Sequence, residues 1–543
     1  MFKPKELSIR PFPAALPEYK LEEPEAQIIV ACPQPPQEAI EAGRAIAVPW
    51  GEFDIDLILE KLPADFQPDF AGFSARTLHF KPRGLEKLPC PAVMKLGDTF
   101  HWGDGSLSGI IEYCQELQCD YHWVYQGVQH LHFFVEAGLK NVFWVPGTYV
   151  IQPHRTRSHS EKIYDVVFRG SQSSHHVQRT RLLQFLQQSG VEVDIAQKPY
   201  IDCLEDYTKA HIVLNFSLNG DTNRRVYEVL MAGGFLLTDR LSVQSGLFSL
   251  FEEGVHLECY NNEAELLEKI EYYLQHPDQA AQIAAAGHQK LWDCYLQPTM
   301  KQQLYRCILA NEIEPPFNLA HDRRASVSID STPEALKTRI EVYELIQELH
   351  RLNPRIKLLY WRGTNHRLIS DLADLQRLDL TCVQTEAETN TIEQWCSQVG
   401  VSDQVNVRSL PVELPSRSMQ IVMVDLPTTM TAAEKLLQEV EPLISNGGLL
   451  LWVGTNPQLK KWLDRRLRTQ QLSPVRLGVM TPDRIYEEMG KGVCLVYQRV
   501  QTDAPVLTFE SLTFSTQLRQ QLDSIQLVRR MKRIVDRSLL QKA

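Results

Sequence analysis

A polar loop between a buried strand and an amphipathic helix carries residue types that suit an anionic ligand. The run from Asn215 to Asp239, NFSLNGDTNRRVYEVLMAGGFLLTD, predicts a strand, a glycine-containing loop and a helix that opens with two arginines. A helix N-terminus presents unpaired N–H groups and a positive dipole end, which suit a diphosphate. Arg224 and Arg225 would add charge-assisted hydrogen bonds, and Glu228 could accept hydrogen bonds from the two hydroxyls of a ribose. The same pattern also fits a surface helix in which Glu228 is exposed or pairs with the arginine four positions earlier.

Other polar residues near predicted strand ends could act on a hydroxyl group. Asp98 and His101 follow the apolar run AVMKLGD, and His130 and His132 open a helical stretch. A carboxylate or an imidazole in such a place can orient a hydroxyl or take its proton. We therefore predict Asp98, His101 and His130 as catalytic candidates, with a purely structural role as the alternative for each histidine.

Four further histidines could suggest a metal site. They are His154, His159, His175 and His176. No carboxylate stands at ligand spacing and the stretch has the composition of a linker, so the sequence predicts solvated histidines and no metal.

Short apolar runs alternate with helical stretches along most of the chain, a pattern typical of parallel sheets covered by helices. The pattern predicts an α/β protein with three Rossmann-like domains at residues 1–155, 156–320 and 333–500. Polar, proline-containing linkers separate the second domain from the third. A basic amphipathic helix is expected within residues 501–543.

The amino-acid composition and net charge exclude several classes of protein. The 543 residues are 43% hydrophobic and 23% charged, which excludes a disordered chain. The net charge of -11 disfavours electrostatic binding of nucleic acid along the whole chain. The start of the chain lacks a signal-peptide core, no window is apolar enough to span a membrane, and the 11 cysteines contain no C-x-x-C pair. We expect a cytoplasmic protein.

Longer segments resemble a known enzyme family. The strings NRRVYEVLMAGGFLLTDR and GLFSLFEEGVHLECYNNEAELLEKIEYYLQHPDQAAQIAAAGHQ are similar to the C-terminal half of group 1 glycosyltransferases, specifically the CgeB-like family. YDVVFRGSQSSHHVQRTRLLQFL resembles the first strand, glycine turn and helix of the same domain. PCPAVMKLGDTFHW and GLKNVFWVPG fit the N-terminal domain, so the resemblance covers about residues 27–312.

The resemblance implies a GT-B architecture of two Rossmann-like domains. The donor, a nucleoside diphosphate sugar, would bind the second domain, and an unknown glycan, lipid or protein acceptor would bind the first. The family needs no bound metal, because arginine or lysine and a helix N-terminus neutralise the diphosphate. By position, Arg225 would contact phosphate, Glu228 the ribose, and Gly170 would let the backbone approach the diphosphate.

One position departs from the family pattern. Group 1 enzymes commonly carry a glutamate eight positions before the ribose-binding one, and here Gly220 stands there. Asp221 could take its place, and we include Asn219, Asp221 and Asn223 in the predicted donor site. The base, the sugar, the acceptor and the stereochemical outcome stay undetermined.

The third domain resembles a class I S-adenosylmethionine-dependent methyltransferase. RIKLLYWRGTNHRLISDLADLQRLDLTCVQTEAE is similar to its first two strands, and SMQIVMVDLP and VEPLISNGGLLLWVG to its fourth and fifth. The cofactor loop of that family holds several glycines, whereas WRGTNH keeps only Gly363, and Glu386 stands near the ribose-binding acid position. We expect a degenerate domain used for packing or partner binding and no cofactor, with S-adenosylmethionine as the alternative.

The C-terminal segment is strongly basic. From Leu518 on it holds seven basic and two acidic residues, a net charge of about +5, which suits an anionic membrane surface, an acidic partner or the acidic body of the same chain. The sequence as a whole favours a metal-independent glycosyltransferase. The alternatives are a non-catalytic Rossmann-domain scaffold and a methyltransferase acting through the third domain.

Overall fold

The computed structural model describes residues 3–12, 28–74, 77–99, 106–147, 161–171, 177–312, 332–353, 356–375, 377–468, 470–475, 478–479, 487–488 and 493–499. The described chain forms two compact units, one up to Leu336 and one from Lys337 on. The predicted basic helix at residues 501–543 lies outside the described residues. Within them, no helix combines the length and apolar character needed to cross a membrane.

Unit 1 begins with a seven-stranded parallel sheet. Its region contains β1 (Glu6–Ile9), β2 (Ile28–Cys32), β3 (Ala45–Ala47), β4 (Glu52–Asp54), β5 (Phe70–Ser74), β6 (Lys81–Arg83), β7 (Ala92–Leu96), β8 (Tyr121–Val124) and β9 (Val142–Trp144). The sheet order is β3-β2-β1-β5-β7-β8-β9, while β4 and β6 pair separately. The helices are α1 (Gln37–Glu41), α2 (Asp56–Leu59), α3 (Leu107–Leu117) and α4 (Leu131–Glu136).

Strand β1 is not marked by an apolar run, because only two of its four residues, Leu7 and Ile9, are apolar. Its Glu6 forms an ion pair with Lys95 of β7 at 2.5 Å. The two side chains meet above Gly72 of β5, where an added Cβ would lie 2.7 Å from the Glu6 carboxylate. Glycine therefore makes space on the sheet for an ion pair between strands that are not neighbours.

The second sheet of unit 1 is also parallel. Its strands are β10 (Tyr164–Arg169), β11 (Val193–Ala196), β12 (Ala210–Leu214), β13 (Leu236–Asp239) and β14 (Glu258–Tyr260), in the order β11-β10-β12-β13-β14. Its helices are α5 (Val177–Gln188), α6 (Tyr200–Thr208), α7 (Arg224–Met231), α8 (Leu247–Leu250), α9 (Glu263–Gln275) and α10 (Pro277–Cys294). α5, α9 and α10 pack on one face of this sheet.

The next helix, α11 (Gln297–Leu309), returns to the first sheet. Its side chains Leu304, Tyr305 and Ile308 share a buried cluster with Phe70 and Trp123. Helix α11 thus follows the second sheet in sequence but completes the core of the first sheet. In this way it connects the two halves of unit 1 by packing.

A second contact between the halves lies at the end of β9. The ring of Trp144 fills the space where a side chain on Gly246 would project, and Gly246 has φ +81°. Nearby, the backbone carbonyl of Tyr295 lies 2.5 Å from where a Cβ on Gly147 would project. A side chain on Gly246 or Gly147 would clash with Trp144 or Tyr295, so both glycines allow the two halves of unit 1 to pack closely.

Unit 2 contains a third α/β sheet. Its strands are β15 (Lys357–Trp361), β16 (Asp379–Gln384), β17 (Val405–Ser409), β18 (Met419–Asp425), β19 (Ile444–Val453), β20 (Leu472–Pro474), β21 (Gly478–Val479), β22 (Glu487–Glu488) and β23 (Cys494–Arg499). The order is β17-β16-β15-β18-β19-β23-β20, with β23 antiparallel to its neighbours and β21 paired to β22 apart from the sheet. The helices are α12 (Pro333–Leu352), whose first turn belongs to unit 1, α13 (His366–Leu372), α14 (Glu386–Val399), α15 (Met430–Val440) and α16 (Pro457–Arg468).

These three sheets confirm the predicted α/β fold class. Parallel strands connected by helices form all of the two sheets in unit 1 and most of the sheet in unit 2. The apolar runs found in the sequence form the buried strands, because a parallel strand covered on both faces is nearly continuous in apolar residues.

The packing of Trp144 on Gly246 gives a stability prediction. Gly246→Ala should lower the free energy of unfolding by about 2–4 kcal/mol, because the methyl group meets both an unfavourable positive φ and a buried ring. Gly254 is the matched control, since it has φ +76° but only one side-chain oxygen, at 3.6 Å, near an added Cβ. Gly254→Ala should cost only about 1–2 kcal/mol. Calorimetric unfolding of the full chain measures both, and equal losses would contradict the crowding at Gly246.

Candidate functional site

The carboxyl edge of the second sheet has a switch point between β10 and β12. The chain leaves β10 toward β11 on one side and returns to β12 on the other. Open α/β sheets bind ligands at the crevice that such a reversal creates. Gly170 follows β10 directly, and the predicted polar loop follows β12, so the sequence-predicted donor residues start from this crevice.

Arg225 is anchored in the crevice by neutral groups. Its Nη1 donates to Oδ1 of Asn215 at 2.8 Å, and its Nη2 donates to the backbone carbonyl of Arg169. The guanidinium lies 4.5 Å from the ring centroid of Phe168. A Cβ on Gly170 would collide with Nη2 of Arg225. The predicted glycine therefore gives space to the predicted arginine.

Arg179, in the first turn of α5, is a second arginine at this edge and is buried, whereas Arg225 is half-buried. Its Nη2 donates to the carbonyl of Phe216 at 3.0 Å and its Nη1 to that of Ser171 at 3.3 Å. Its guanidinium lies 5.3 Å from the ring centroid of Phe168, the same ring that Arg225 contacts. Burial and the positive charge of Arg225 lower the pKa of Arg179 to about 9.

The two guanidiniums share one electrostatic property. Neither Arg179 nor Arg225 forms an ion pair with a described carboxylate, and the buried Nε atom of each has no hydrogen-bond partner among the described residues. Sequence reasoning missed Arg179. The signal was present, since a basic residue opens the helix after the glycine turn in YDVVFRGSQSSHHVQRTR.

Glu228 is paired within its own helix. Its carboxylate forms an ion pair with Arg224 one turn earlier, and Arg224 also lies 4.5 Å from the ring centroid of Tyr200. Glu228 is 9% exposed. Burial raises the pKa of Glu228, and the charges of Arg224 and Arg225 offset part of that effect. The structure thus contains the i,i+4 pairing that the sequence left open as the alternative to ribose binding.

The loop before α7 is held by its own side chains. Asn223 stands at the N-cap position without capping the helix, and its Nδ2 donates to Oδ1 of Asn215 at 3.2 Å. Asp221 is buried, and its Oδ1 accepts a hydrogen bond of 2.9 Å from Ser217. Burial and the neighbouring Asp98 carboxylate raise the pKa of Asp221 to about 6.

Two glutamines of the first half reach this loop and helix. With its carboxamide oriented to satisfy both neighbours, Gln126 donates from Nε2 to Asp98 and accepts at Oε1 from the backbone N–H of Arg224 at 3.2 Å. Gln129 donates from Nε2 to the carbonyl of Asn219 at 3.2 Å. The structure therefore connects the acceptor candidate Asp98 to the N-terminus of α7, through a glutamine that sequence reasoning did not single out.

The predicted histidines do not gather around Arg225. His130 is buried, with its Nδ1 2.7 Å from the hydroxyl of Thr99. His132 is also buried, and its ring is tilted against that of Phe133 with the ring centroids 4.0 Å apart. His101 lies outside the described residues, as do the four histidines of the polar linker. Among the residues that are described, no group of three His, Cys, Asp or Glu side chains could hold a metal ion.

In unit 2 the corresponding crevice lies between β15 and β18. Neighbouring side chains form hydrogen bonds with the loop that follows β15. The backbone N–H and the hydroxyl of Thr364 both donate to Oδ2 of Asp425 at 2.8 Å. Tyr360 donates its hydroxyl proton to the other oxygen of Asp425 at 2.5 Å. The carbonyl of Gly363 accepts from Nε2 of Gln384. A Cβ on Gly363 would collide with the Tyr360 ring, so that ring occupies the space beside the glycine.

The flanking residues of this loop are engaged as well. Arg362 and the indole N–H of Trp361 both donate to the carboxylate of Glu439. Glu386, the predicted ribose acid, is exposed in the first turn of α14. The N–H of Thr364 and the carbonyl of Gly363 thus have partners within the protein, whereas Oε1 of Gln384 has none among the described residues.

One part of the chain is similar in sequence to a known family. Residues 174–300 match a family model described as glycosyl transferase-like. This part of unit 1, from the start of α5 into α11, is therefore glycosyltransferase-like in sequence. A comparison with curated proteins found no significant match.

Solved structures with similar folds fall into two groups. HepE from Anabaena, in complex with UDP and glucose, is 12% identical, with 56% of this chain and 100% of that chain covered and a TM-score of 0.39. A glycosyltransferase from Rickettsia africae is 10% identical, with 57% and 100% covered and a TM-score of 0.40. The tRNA (m1A58) methyltransferase TrmI from Aquifex aeolicus is 14% identical, with 30% and 69% covered and a TM-score of 0.23.

The buried carboxylate of Asp221 gives a pH prediction. The pKa of about 6 in the folded state lies above the ordinary value of an aspartate, about 3.9, so the folded protein binds the proton more tightly than the unfolded chain. The contribution of Asp221 to stability should therefore be greatest near pH 4 and fall by about 2–3 kcal/mol as the pH rises to about 7.

Thermal unfolding between pH 4 and pH 8 measures this effect against Asp221→Asn. The variant should lose that part of the pH dependence and gain stability relative to the wild type at pH 7. Asp165→Asn, which changes an exposed aspartate, serves as the control. Parallel pH curves for wild type and Asp221→Asn would contradict the prediction.

Proposed function

We propose that unit 1 is a GT-B glycosyltransferase that binds a nucleoside diphosphate sugar in the crevice between β10 and β12. The observation that carries the proposal is the pair of guanidiniums of buried Arg179 and half-buried Arg225, neither of which forms a direct ion pair with a described carboxylate. Burying a charge without a direct ion pair is costly. A diphosphate bound beside Gly170 would form such pairs and add to the longer-range effect of Asp239, Asp221 and Glu228. The glycosyl transferase-like family match over residues 174–300 supports the same reaction class.

Each part of the donor has a proposed partner. The diphosphate would lie against Arg225 and Arg179, with the N-terminus of α7 adding its dipole. Glu228 would accept hydrogen bonds from the ribose hydroxyls, sharing its carboxylate with Arg224. Asn219, Asp221 and Asn223 belong to the loop that would face the sugar, although Asp221 hydrogen-bonds within that loop.

The proposed reaction needs stabilisation of a leaving group and removal of a proton. The acceptor oxygen forms a bond to the anomeric carbon, and the bond from that carbon to the diphosphate breaks with its electron pair leaving on the diphosphate. The two arginines stabilise the charge that develops there. Asp98, at the carboxyl end of β7 in the first half, is the proposed base that takes the proton of the acceptor hydroxyl. His101 and His130 remain further candidates for orienting that hydroxyl, and His130 already bonds Thr99.

Unit 2 plays a different part in this proposal. Its residues do not fit S-adenosylmethionine, because the Tyr360 ring lies beside Gly363 and the N–H of Thr364 is bound by Asp425. The cofactor's methionine group would need that backbone. We therefore propose that unit 2 acts as a packing or partner-binding domain and that the protein uses no organic cofactor.

Substitution of the two arginines tests the donor site. Arg225→Ala and Arg179→Ala should each weaken the binding of the preferred nucleoside diphosphate by about 10–100-fold, since a charge-assisted hydrogen bond contributes about 1.5–3 kcal/mol. Calorimetry of the full chain with UDP, GDP, ADP and TDP measures this. Arg181→Ala, which removes an exposed arginine of the same helix, is the matched control.

The outcomes separate the two main functions. Unchanged affinity in both variants would refute the proposed site. Binding without any hydrolysis or transfer of the corresponding sugar nucleotides would favour the non-catalytic scaffold.

A second experiment addresses unit 2. The full chain should show no calorimetric binding and no thermal shift with 1 mM S-adenosylmethionine or S-adenosylhomocysteine, about the concentration at which even weak cofactor sites fill. Micromolar binding would contradict the closed crevice and would revive the methyltransferase alternative.

A further inference from the structure

The N-terminus of α7 is already occupied by a residue from the other half of unit 1. The first N–H groups of a helix have no partner within the helix. At α7 the N-cap residue Asn223 does not supply one, because its side chain bonds Asn215. The N–H of Arg224 is instead bound by the side-chain oxygen of Gln126, which follows β8.

The position of Gln126 is built into the fold. The next residue, Gly127, has φ +76°, and an added Cβ there would collide with the hydroxyl of Thr99. The other end of the Gln126 carboxamide donates to Asp98. The neutral carboxamide of Gln126 therefore hydrogen-bonds both to a helix N–H that suits a phosphate and to the carboxylate proposed as the base.

We propose that Gln126 is a place-holder that the donor's diphosphate displaces. This inference rests on the function proposed above. The buried, unpaired Nε atoms of Arg179 and Arg225 independently indicate an anion at the same edge. A charged phosphate oxygen makes stronger hydrogen bonds than a neutral amide oxygen, and it also gains from the helix dipole.

Displacement has a consequence on the acceptor side. When Gln126 leaves the N–H of Arg224, its other hydrogen bond, to Asp98, loses its anchor. Loss of that bond makes the carboxylate of Asp98 a stronger base toward the proton of an acceptor hydroxyl. Gln126 is thus a positioning residue that links donor binding to the release of the base, and the donor binds before the acceptor reacts.

Three variants of the full chain test this role, with inorganic pyrophosphate and the preferred nucleoside diphosphate as probes in calorimetry. Gln126→Ala should bind both about 2–10-fold more tightly, because no existing hydrogen bond has to be broken. Gln129→Ala is the matched control. It removes the other glutamine bond between the halves, which ends on the carbonyl of Asn219 and not on the helix, and it should not tighten binding.

Gln126→Glu gives a readout that a merely structural residue would not give. The adjacent Asp98 carboxylate favours the protonated form of the new side chain by like-charge repulsion. In that form the side chain can still donate to Asp98 and accept from Arg224, so affinity near pH 4.5 should resemble that of the wild type. Ionised, it places a fixed anion at the helix N-terminus and competes with phosphate. Affinity at pH 8 should therefore fall by at least about 10-fold relative to the wild type.

The results distinguish this inference from the proposed function. If the wild type binds neither probe, the donor site itself fails and the place-holder with it. If the wild type binds but Gln126→Ala does not tighten binding, or Gln126→Glu shows no added pH dependence, only the place-holder role is refuted. Equal tightening in Gln129→Ala would also refute it, since the contact would then act only by holding the two halves together.

Discussion

Two neighbouring guanidiniums without a direct ion pair, those of buried Arg179 and half-buried Arg225, are the constraint on which the donor half of unit 1 depends. Both lie against the ring of Phe168 and donate to carbonyl and amide oxygens. Neutral acceptors hold a guanidinium in place but compensate its charge only in part, and the carboxylates of Asp239, Asp221 and Glu228 act on these charges at longer range. The glycine after β10 and the buried asparagine after β12 give Arg225 its space and its acceptor. An anion such as the proposed diphosphate would form the direct ion pairs that these two side chains lack.

Unit 2 shows the opposite use of the same architecture. Its crevice also lies where the strand order reverses, but Asp425 and Gln384 satisfy the loop after β15 and the ring of Tyr360 fills the space beside its glycine. One sheet edge thus holds two guanidiniums without a direct ion pair, and at the other the loop backbone is hydrogen-bonded by the protein's own side chains. Function in such folds resides in the residues at the edge and not in the sheet that presents them.

Much of the fold could be predicted from the sequence because buried parallel strands are continuous apolar runs. Strand β1 escaped this rule, since it holds only two apolar residues, on either side of Ser8, and its Glu6 is paired with Lys95 far along the chain. Arg225 and Gly170 could be predicted from local motifs, and Arg179 could have been, because a basic residue opens the helix after the glycine turn. Gln126 could not, because its importance comes from a contact between distant segments. The pairing of Glu228 with Arg224 could be foreseen from spacing alone, as helical neighbours four residues apart share a face.

Helix α11 makes the first sheet depend on a segment that is synthesised long after it. The apolar face formed by Phe70, Val93 and Trp123 is covered by side chains of residues 304–308. At about 5–20 residues per second, a ribosome needs roughly ten to thirty seconds to add the chain between β9 and the end of α11. During that interval the nascent first half displays a large apolar face to the cell. Its solubility in that period rests on whatever shields the face, so the protein's yield in a cell is set as much by the timing of synthesis as by the stability of the finished fold.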